Sequence, residues 1–282
     1  MEVIVAKSAG FCFGVQRAVK EVERLIREGV KPVWTYGPII HNEQVVNELA
    51  EKGVRVIRSE EELEQIHEGT IVIRSHGVPR RLQEKMEATG AVIVDATCPF
   101  VKKIHRIAEK AGQEGKTLVI AGNPDHPEVQ GIMGWTEGTV FAVETPEEAA
   151  NLPITDPQSA ILVAQTTFNK MKFKSIVEKF KESVYHEYVV DTVCSATDER
   201  QTETRDIART VDAMIVIGGR HSSNTQKLYQ ICKAECSNSC YIETLVDLDV
   251  KPFQTSSRVG ITAGASTPNI IIEEVAQHVR KL

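Results

Sequence analysis

Cys12, Cys98 and Cys194 cut the 282 residues into near-equal thirds: 86 residues separate the first two, 96 the next two, and 88 follow the last. Each cysteine opens the same local pattern. Gly37 and His41 follow Cys12 at 25 and 29 residues, Gly122 and His126 follow Cys98 at 24 and 28, and Gly218 and Ser222 follow Cys194 at 24 and 28. A second polar loop then completes each third: RSHGVP from Arg74, AQTTFN from Ala164 and AGASTPN from Ala263. The segments entering the second and third cysteines also match, as VIVDATC and YVVDTVC. Three similar units, each presenting one thiolate to a shared centre, are the simplest source of this pattern. Three converging thiolates suit an iron–sulfur cluster. A 4Fe–4S cluster is usually held by four cysteines, so three leave one iron without a protein ligand, open to Lewis-acid and redox chemistry. A buried cysteine taken alone is most often inert. The threefold recurrence is what sets that reading aside.

The loops supply the other chemistry. His41 lies in TYGPIIHN, His76 in RSHG, Ser222, Ser223 and Asn224 in GGRHSSN, and Ser266 in AGAST. Hydroxyls, imidazoles and free N–H groups at helix starts suit a phosphate or diphosphate. A histidine alone would be read as a buried structural group, and a lone Ser or Asn at a helix start as a simple N-cap. Neither a Walker A nor a GxGxxG pattern occurs, so an ordinary nucleotide site is not expected. The middle third differs: NPDHPEVQG carries His126 and Glu128, opposite Gln165, Thr166 and Thr167. A carboxyl beside a bound alcohol is a proton source; the plainer alternative is a capping carboxylate in a helix's first turn. Cys232, Cys236 and Cys240 are spaced for one helix face, but Ser237–Ser239 reads as a turn and Cys240 as the start of a strand. Without a histidine or carboxylate at ligand spacing, a core or surface role is expected for them, not zinc or a second cluster.

Short, β-branched, apolar runs alternate with amphipathic stretches along the whole chain. Strands are expected at 2–6, 33–36, 70–74, 91–95, 117–121, 160–164, 188–191, 213–217 and 257–262. Helices are expected at 15–28, 79–89, 101–114, 171–183, 198–209 and 224–234. This is an α/β pattern, with small, mostly parallel sheets. The expected units are 1–97, 98–193 and 194–282, arranged pseudo-threefold around a central iron–sulfur cluster. Ligands in open α/β sheets bind beyond the carboxyl ends of the strands, and all the residues singled out lie there. A net charge of −6 argues against a nucleic-acid partner. No apolar run approaches the roughly 18 residues that would span a membrane. The start, MEVIVAKSAG, reads as a strand and not as a leader, so a cytoplasmic location is expected.

The segment AGFCFGVQRAV around Cys12 resembles the amino-terminal signature of the LytB/IspH family. The likeness continues in order through YGPIIHN, RSHGVP, DATCPFV, GNPDHPEVQG, QTT, DTVCSAT, GGRHSSNT and AGASTP, nearly the whole chain. It implies a 4-hydroxy-3-methylbut-2-enyl diphosphate reductase, the last step of the methylerythritol phosphate route. Such an enzyme removes the allylic hydroxyl and releases isopentenyl diphosphate, dimethylallyl diphosphate and water. The resemblance implies Cys12, Cys98 and Cys194 as ligands of one 4Fe–4S cluster, with a 3Fe–4S form after loss of the labile iron. It implies His41, His76, His126, Ser222, Ser223, Asn224 and Ser266 around the diphosphate. Glu128 becomes the proton source, with Thr166 and His126 in its network, and ferredoxin or flavodoxin the electron donor. Cys232, Cys236 and Cys240 are outside the family pattern. Three rivals are weaker. A cluster enzyme resembling quinolinate synthase would call for more loop arginines, a redox sensor would not need Glu128, and a zinc hydrolase does not fit three cysteines.

Overall fold

The computed structural model describes residues 1–154, 160–183, 188–253 and 255–282. Among them the strands are β1 (Glu2–Val5), β2 (Val33–Tyr36), β3 (Val54–Ile57), β4 (Thr70–Ile73), β5 (Val92–Asp95), β6 (Thr117–Ala121), β7 (Val140–Val143), β8 (Ala160–Ala164), β9 (Tyr188–Val189), β10 (Ala213–Ile217), β11 (Ser239–Ile242) and β12 (Arg258–Ala263). The helices are α1 (Phe13–Arg27), α2 (Glu43–Glu51), α3 (Glu60–Glu64), α4 (Arg80–Ala88), α5 (Pro99–Gln113), α6 (Pro127–Met133), α7 (Pro146–Ala150), α8 (Lys170–Ser183), α9 (Ser195–Ala208), α10 (Ser223–Glu235) and α11 (Asn269–Val279).

The strands form three four-stranded sheets, ordered β3-β2-β4-β5, β7-β6-β8-β9 and β11-β10-β12-β1. Every pairing is parallel. The three orders are one order repeated, so the α/β class with small parallel sheets stands. The central strands β4, β8 and β10 are buried at every position. That is the physics of a parallel sheet covered on both faces: each fully buried Ile, Val or Leu contributes roughly 1.5–3 kcal/mol, and no residue is left to alternate toward water.

Two strands, β3 and β7, go beyond the sequence expectations, and a third, β11, is the strand expected to start at Cys240, here beginning at Ser239. All three occupy the same outer edge of their sheets. For β3 and β7 the sequences VRVI and VFAV give too short a run to separate from loop. The other structural surprise concerns β1. A cut after residue 97 groups it with β2–β5, but its partner is β12, in register from Glu2↔Arg258 to Val5↔Ile261. The third sheet is therefore completed by the N-terminal strand.

By contacts between Cα atoms the chain forms two compact units. One comprises Met1–Gln16, Ile40–Val46 and Ser195–Leu282, and holds the β1/β12/β10/β11 sheet; the other comprises Arg17–Ile39 and Asn47–Cys194, and holds the remaining two sheets. In the first, Ile215, Ile217, Val259, Ile261 and Ala263 pack under α11, while Met214, Val216, Leu228 and Cys232 fill the opposite face. In the second, Val119, Leu162 and Ala164 pack against Phe173, Ile176 and Phe180 of α8, and Leu118, Ile120 and Val163 against Ile104, Ala108 and Ala111 of α5. The helix α5 shows why such segments fold. Pro99 sits at its first turn, its buried residues recur at helical spacing, and Gly115 takes up a φ of 67° just beyond its end.

Candidate functional site

In each sheet the chain runs outward in one direction from one central strand and in the opposite direction from its neighbour. The crevice at such a switch point lies between the loops after those two strands. Here these are the loops after β2 and β4, after β6 and β8, and after β10 and β12. They are the same six polar loops that the sequence singles out. The edge strand beside each pair, β5, β9 or β1, leads directly into Cys98, Cys194 or Cys12. The backbone repeats with it. The N–H of Cys98 donates to Ser75 O (3.0 Å), that of Cys194 to Thr166 O (3.0 Å) and that of Cys12 to Ala265 O (3.2 Å). Each cysteine is thus stitched to the second polar loop of its own sheet. All three are partly exposed, and none is in a disulfide.

In the unit holding the β2–β5 and β6–β9 sheets, a continuous set of contacts joins the sequence candidates. Glu128, on the first turn of α6, is only 1% exposed. A surface capping role is therefore excluded. Its Oε1 accepts the Thr166 N–H (2.6 Å), and its Oε2 is bonded to the Thr166 hydroxyl (2.7 Å). Thr167 faces elsewhere, accepting from Gln165 Nε2 at 3.0 Å. His126 caps α6: its Nδ1 accepts the Glu128 N–H (3.1 Å), which leaves Nε2 as the proton-bearing nitrogen of the neutral ring. The His126 ring meets that of His76 edge-on, with centroids 5.4 Å apart. Cys98, Ser75, His76, His126, Glu128, Thr166 and Cys194 thus follow one another through bonds and contacts.

The other unit holds Cys12, His41, Ser222, Ser223, Asn224 and Ser266. Ser222 is the N-cap of α10, its Oγ accepting the Thr225 N–H (3.3 Å). Its hydroxyl proton remains to be donated. Ser223 Oγ accepts from Lys227 Nζ (2.8 Å). Ser222, Asn224 and Ser266 are buried, and Asn224 Nδ2 has no hydrogen-bond partner among the described residues. A buried amide donor left unpaired costs about 1–3 kcal/mol, so it signals a missing acceptor. Gly264 lets this loop close: a side chain there would overlap Thr225 Oγ1. His41 lies under the other loop, where a Cβ on Gly219 would strike its carbonyl oxygen.

Four arginine and glutamine positions went unassigned from sequence. Arg17, five residues after Cys12, donates to the carbonyls of Asp95 (3.1 Å), Ala96 (3.3 Å) and Thr97 (2.9 Å), bracing the loop into Cys98. Arg200, six residues after Cys194, donates to Gly10 O and Ala263 O, both at 2.9 Å, bracing the loop into Cys12. An arginine five or six residues after a cysteine was the one available signal. Arg74 lies half-buried under Gly37, where a Cβ would come within 2.5 Å of its guanidinium. Burial lowers its pKa, and it makes no ion pair among the described residues. Gln165 is fully buried and its Oε1 faces the Asn123 N–H (3.4 Å).

Cys232, Cys236 and Cys240 do not share a helix face. Cys236 ends α10 in an extended conformation and Cys240 lies on β11. Cys232 and Cys236 belong to one core cluster and Cys240 packs against the cluster on the other face of the sheet. Burial pushes the Cys232 thiol up to about 12 and that of Cys240 to about 11. Such thiols stay protonated, which disfavours metal binding.

The donor chemistry suits the group that the thirds imply: three partly exposed thiols, one at the equivalent position after each sheet. Known proteins resemble this chain along nearly its whole length. The family model described as LytB protein matches residues 3–280. The 4-hydroxy-3-methylbut-2-enyl diphosphate reductase of Caldanaerobacter subterraneus subsp. tengcongensis is 44% identical, over 100% of this chain and 98% of that protein. The enzyme of the same name from Clostridioides difficile is 42% identical over 100% of both. Among solved structures, one described as (E)-4-hydroxy-3-methyl-but-2-enyl diphosphate reductase, the terminal enzyme of the non-mevalonate pathway, is 41% identical with a TM-score of 0.71 over 100% of both chains. The E-1-hydroxy-2-methyl-but-2-enyl-4-diphosphate reductase of Plasmodium falciparum has a TM-score of 0.92 at 25% identity, over 98% of this chain and 87% of that one. On a family match spanning nearly all its residues, and with relatives of this identity along its full length, the chain belongs to the LytB protein family.

Proposed function

We propose that this chain is the iron–sulfur reductase that removes the allylic hydroxyl of 4-hydroxy-3-methylbut-2-enyl diphosphate. Two electrons and two protons enter, the C–O bond breaks, and isopentenyl or dimethylallyl diphosphate leaves with water. The observation that carries the reading is Glu128: a buried carboxyl held at both oxygens by Thr166, in a chain with three equivalent cysteine loops.

Cys12, Cys98 and Cys194 would hold one 4Fe–4S cluster. When bound, that cluster supplies one-electron transfer and a Lewis-acidic iron lacking a protein thiolate. Glu128 supplies the proton to the departing hydroxyl. Its position on the first turn of α6 is fixed by the His126 cap and the Pro127 turn. When the carboxyl is protonated, the Oε2–H donates to Thr166 Oγ1, and the threonine proton passes outward to the leaving oxygen. The Thr166 N–H holds Oε1 throughout. His41, His76, His126, Ser222, Ser223, Asn224 and Ser266 would bind the diphosphate. The His126 Nε2–H, the Ser222 hydroxyl and the Asn224 amide are donors suited to phosphate oxygens. A reduced ferredoxin or flavodoxin would supply electrons. Among the described residues no helix is long and apolar enough to cross a membrane.

The test is anaerobic purification, an iron-to-protein ratio, and an assay of the hydroxylated C5 diphosphate with a low-potential reductant. A preparation with a demonstrably intact cluster and no turnover overturns the reading.

A further inference from the structure

The helices that follow the three cysteines differ on their outer faces. Phe100, two residues after Cys98 on α5, is 46% exposed, although large aromatics are normally withdrawn from water. Lys103, Arg106 and Lys110 are exposed on the same helix. At about 100° per residue, these four side chains fall within roughly a third of the helix circumference, and no acidic residue of α5 shares that arc. Lys103 and Arg106 make no ion pair among the described residues; Lys110 has only Glu114, at 3.5 Å. The pattern recurs in smaller form on α1, where Phe13, directly after Cys12, is 62% exposed and Lys20 lies two turns further on the same side. The helix after Cys194 carries the reverse. Its exposed stripe is Ser195, Glu199, Thr202 and Asp206, with neither an aromatic nor a cation in line. A chain with net charge −6 has therefore gathered uncompensated cations and an exposed ring beside one cysteine and acids beside another.

We infer that the outer face of α5, centred on Phe100, Lys103 and Arg106, is the docking surface for a small acidic electron-transfer protein. This inference rests on the reductase reading and on Cys98 as a cluster ligand. Chain connectivity puts the Phe100 Cα within about 7 Å of the Cys98 Cα. An electron carrier seated there would lie within a few residues of a cluster ligand. Tunnelling weakens steeply with distance, so the approach must be at such a point. Electrostatic steering by a basic patch raises the on-rate of an acidic partner, and an exposed aromatic supplies the desolvated centre of a small, transient interface. The acidic α9 face repels the same partner.

The test compares the wild-type holoprotein with K103E/R106E and with E199K/D206K, using an acidic 2Fe–2S ferredoxin as the probe. Binding of the oxidised ferredoxin is measured by calorimetry at low ionic strength. Turnover is measured with reduced ferredoxin and, separately, with a reduced viologen dye. In K103E/R106E the ferredoxin Kd should rise, and ferredoxin-driven kcat/KM fall, by about tenfold or more. The salt dependence should flatten, and viologen-driven turnover should stay unchanged. E199K/D206K should bind ferredoxin at least as well as wild type. Four results overturn the surface: no binding to wild type, an unchanged Kd in K103E/R106E, an equal loss in E199K/D206K, or a short DNA duplex bound as tightly as ferredoxin. Absence of viologen-driven turnover in the wild type overturns the reductase reading instead.

Discussion

A single carboxyl decides the chemistry at the residue scale. Glu128 has both oxygens engaged by one threonine and almost no contact with water. Glu128→Gln keeps the shape and loses the transferable proton. It should retain iron and bind the diphosphate, while kcat falls on the order of 10²–10⁴-fold; rapid-mixing turnover with a viologen donor measures this, and a variant of near-native rate would remove Glu128 from the proton path. Thr166→Val keeps the backbone N–H to Oε1 and removes the hydroxyl to Oε2. A relay through Oγ1 predicts a loss comparable to that of Glu128→Gln. A residue that merely orients Glu128 predicts a much smaller one.

At the scale of elements, the cysteine loops stand on arginines, one half-buried (Arg17) and one buried (Arg200). Arg200 satisfies two carbonyls from inside the core of its unit. Arg200→Met leaves both unpaired and should destabilise the fold by roughly 3 kcal/mol, read as a shift in the denaturant midpoint. Helix α5 contributes a second, pH-dependent effect. His105 is buried, stacked on Trp135 at 5.1 Å, and under Gly77, whose φ of 71° permits the approach. Burial lowers its pKa to about 4, outweighing the attraction of Asp95. The unfolded histidine titrates near 6.5, so between about 6.5 and 4 the unfolded chain binds more protons than the folded one. Stability should therefore rise with pH across that window and fall by roughly 3 kcal/mol as acid is added through it. Urea midpoints at pH 7 and 4.5 check this, and His105→Gln should flatten the difference.

The whole molecule is one sheet topology used three times, with the last copy closed by the first strand. If each copy contributes one ligand to one cluster, no cysteine of the three is dispensable. Cys12→Ser, Cys98→Ser and Cys194→Ser should each lower the iron content and the cluster absorbance of anaerobically purified protein to a similar degree. Cys236→Ser should leave both unchanged, because Cys236 belongs to the core under the sheet. Unequal loss among the first three would show that the copies do not act alike.

Much of this was legible before any coordinates. Spacing, turn chemistry and apolar runs are local properties, and they sufficed for the α/β class, the central strands, the six polar loops and the family. The outer strands β3 and β7 were not legible from sequence; strand propensity depends strongly on the neighbours a strand packs against. Nor was the partner of β1, since strand pairing across more than two hundred residues leaves no local mark. Burial and bonding likewise belong to tertiary structure alone. Only packing could show that Glu128 is bonded to Thr166 and withdrawn from water, that Arg17 and Arg200 brace the cysteine loops, and that Cys232 and Cys240 lie on opposite faces of a sheet. The residue types capable of the chemistry were written along the chain; which of them met, and which were shut away from water, depended on surfaces that exist only once the sheets are packed.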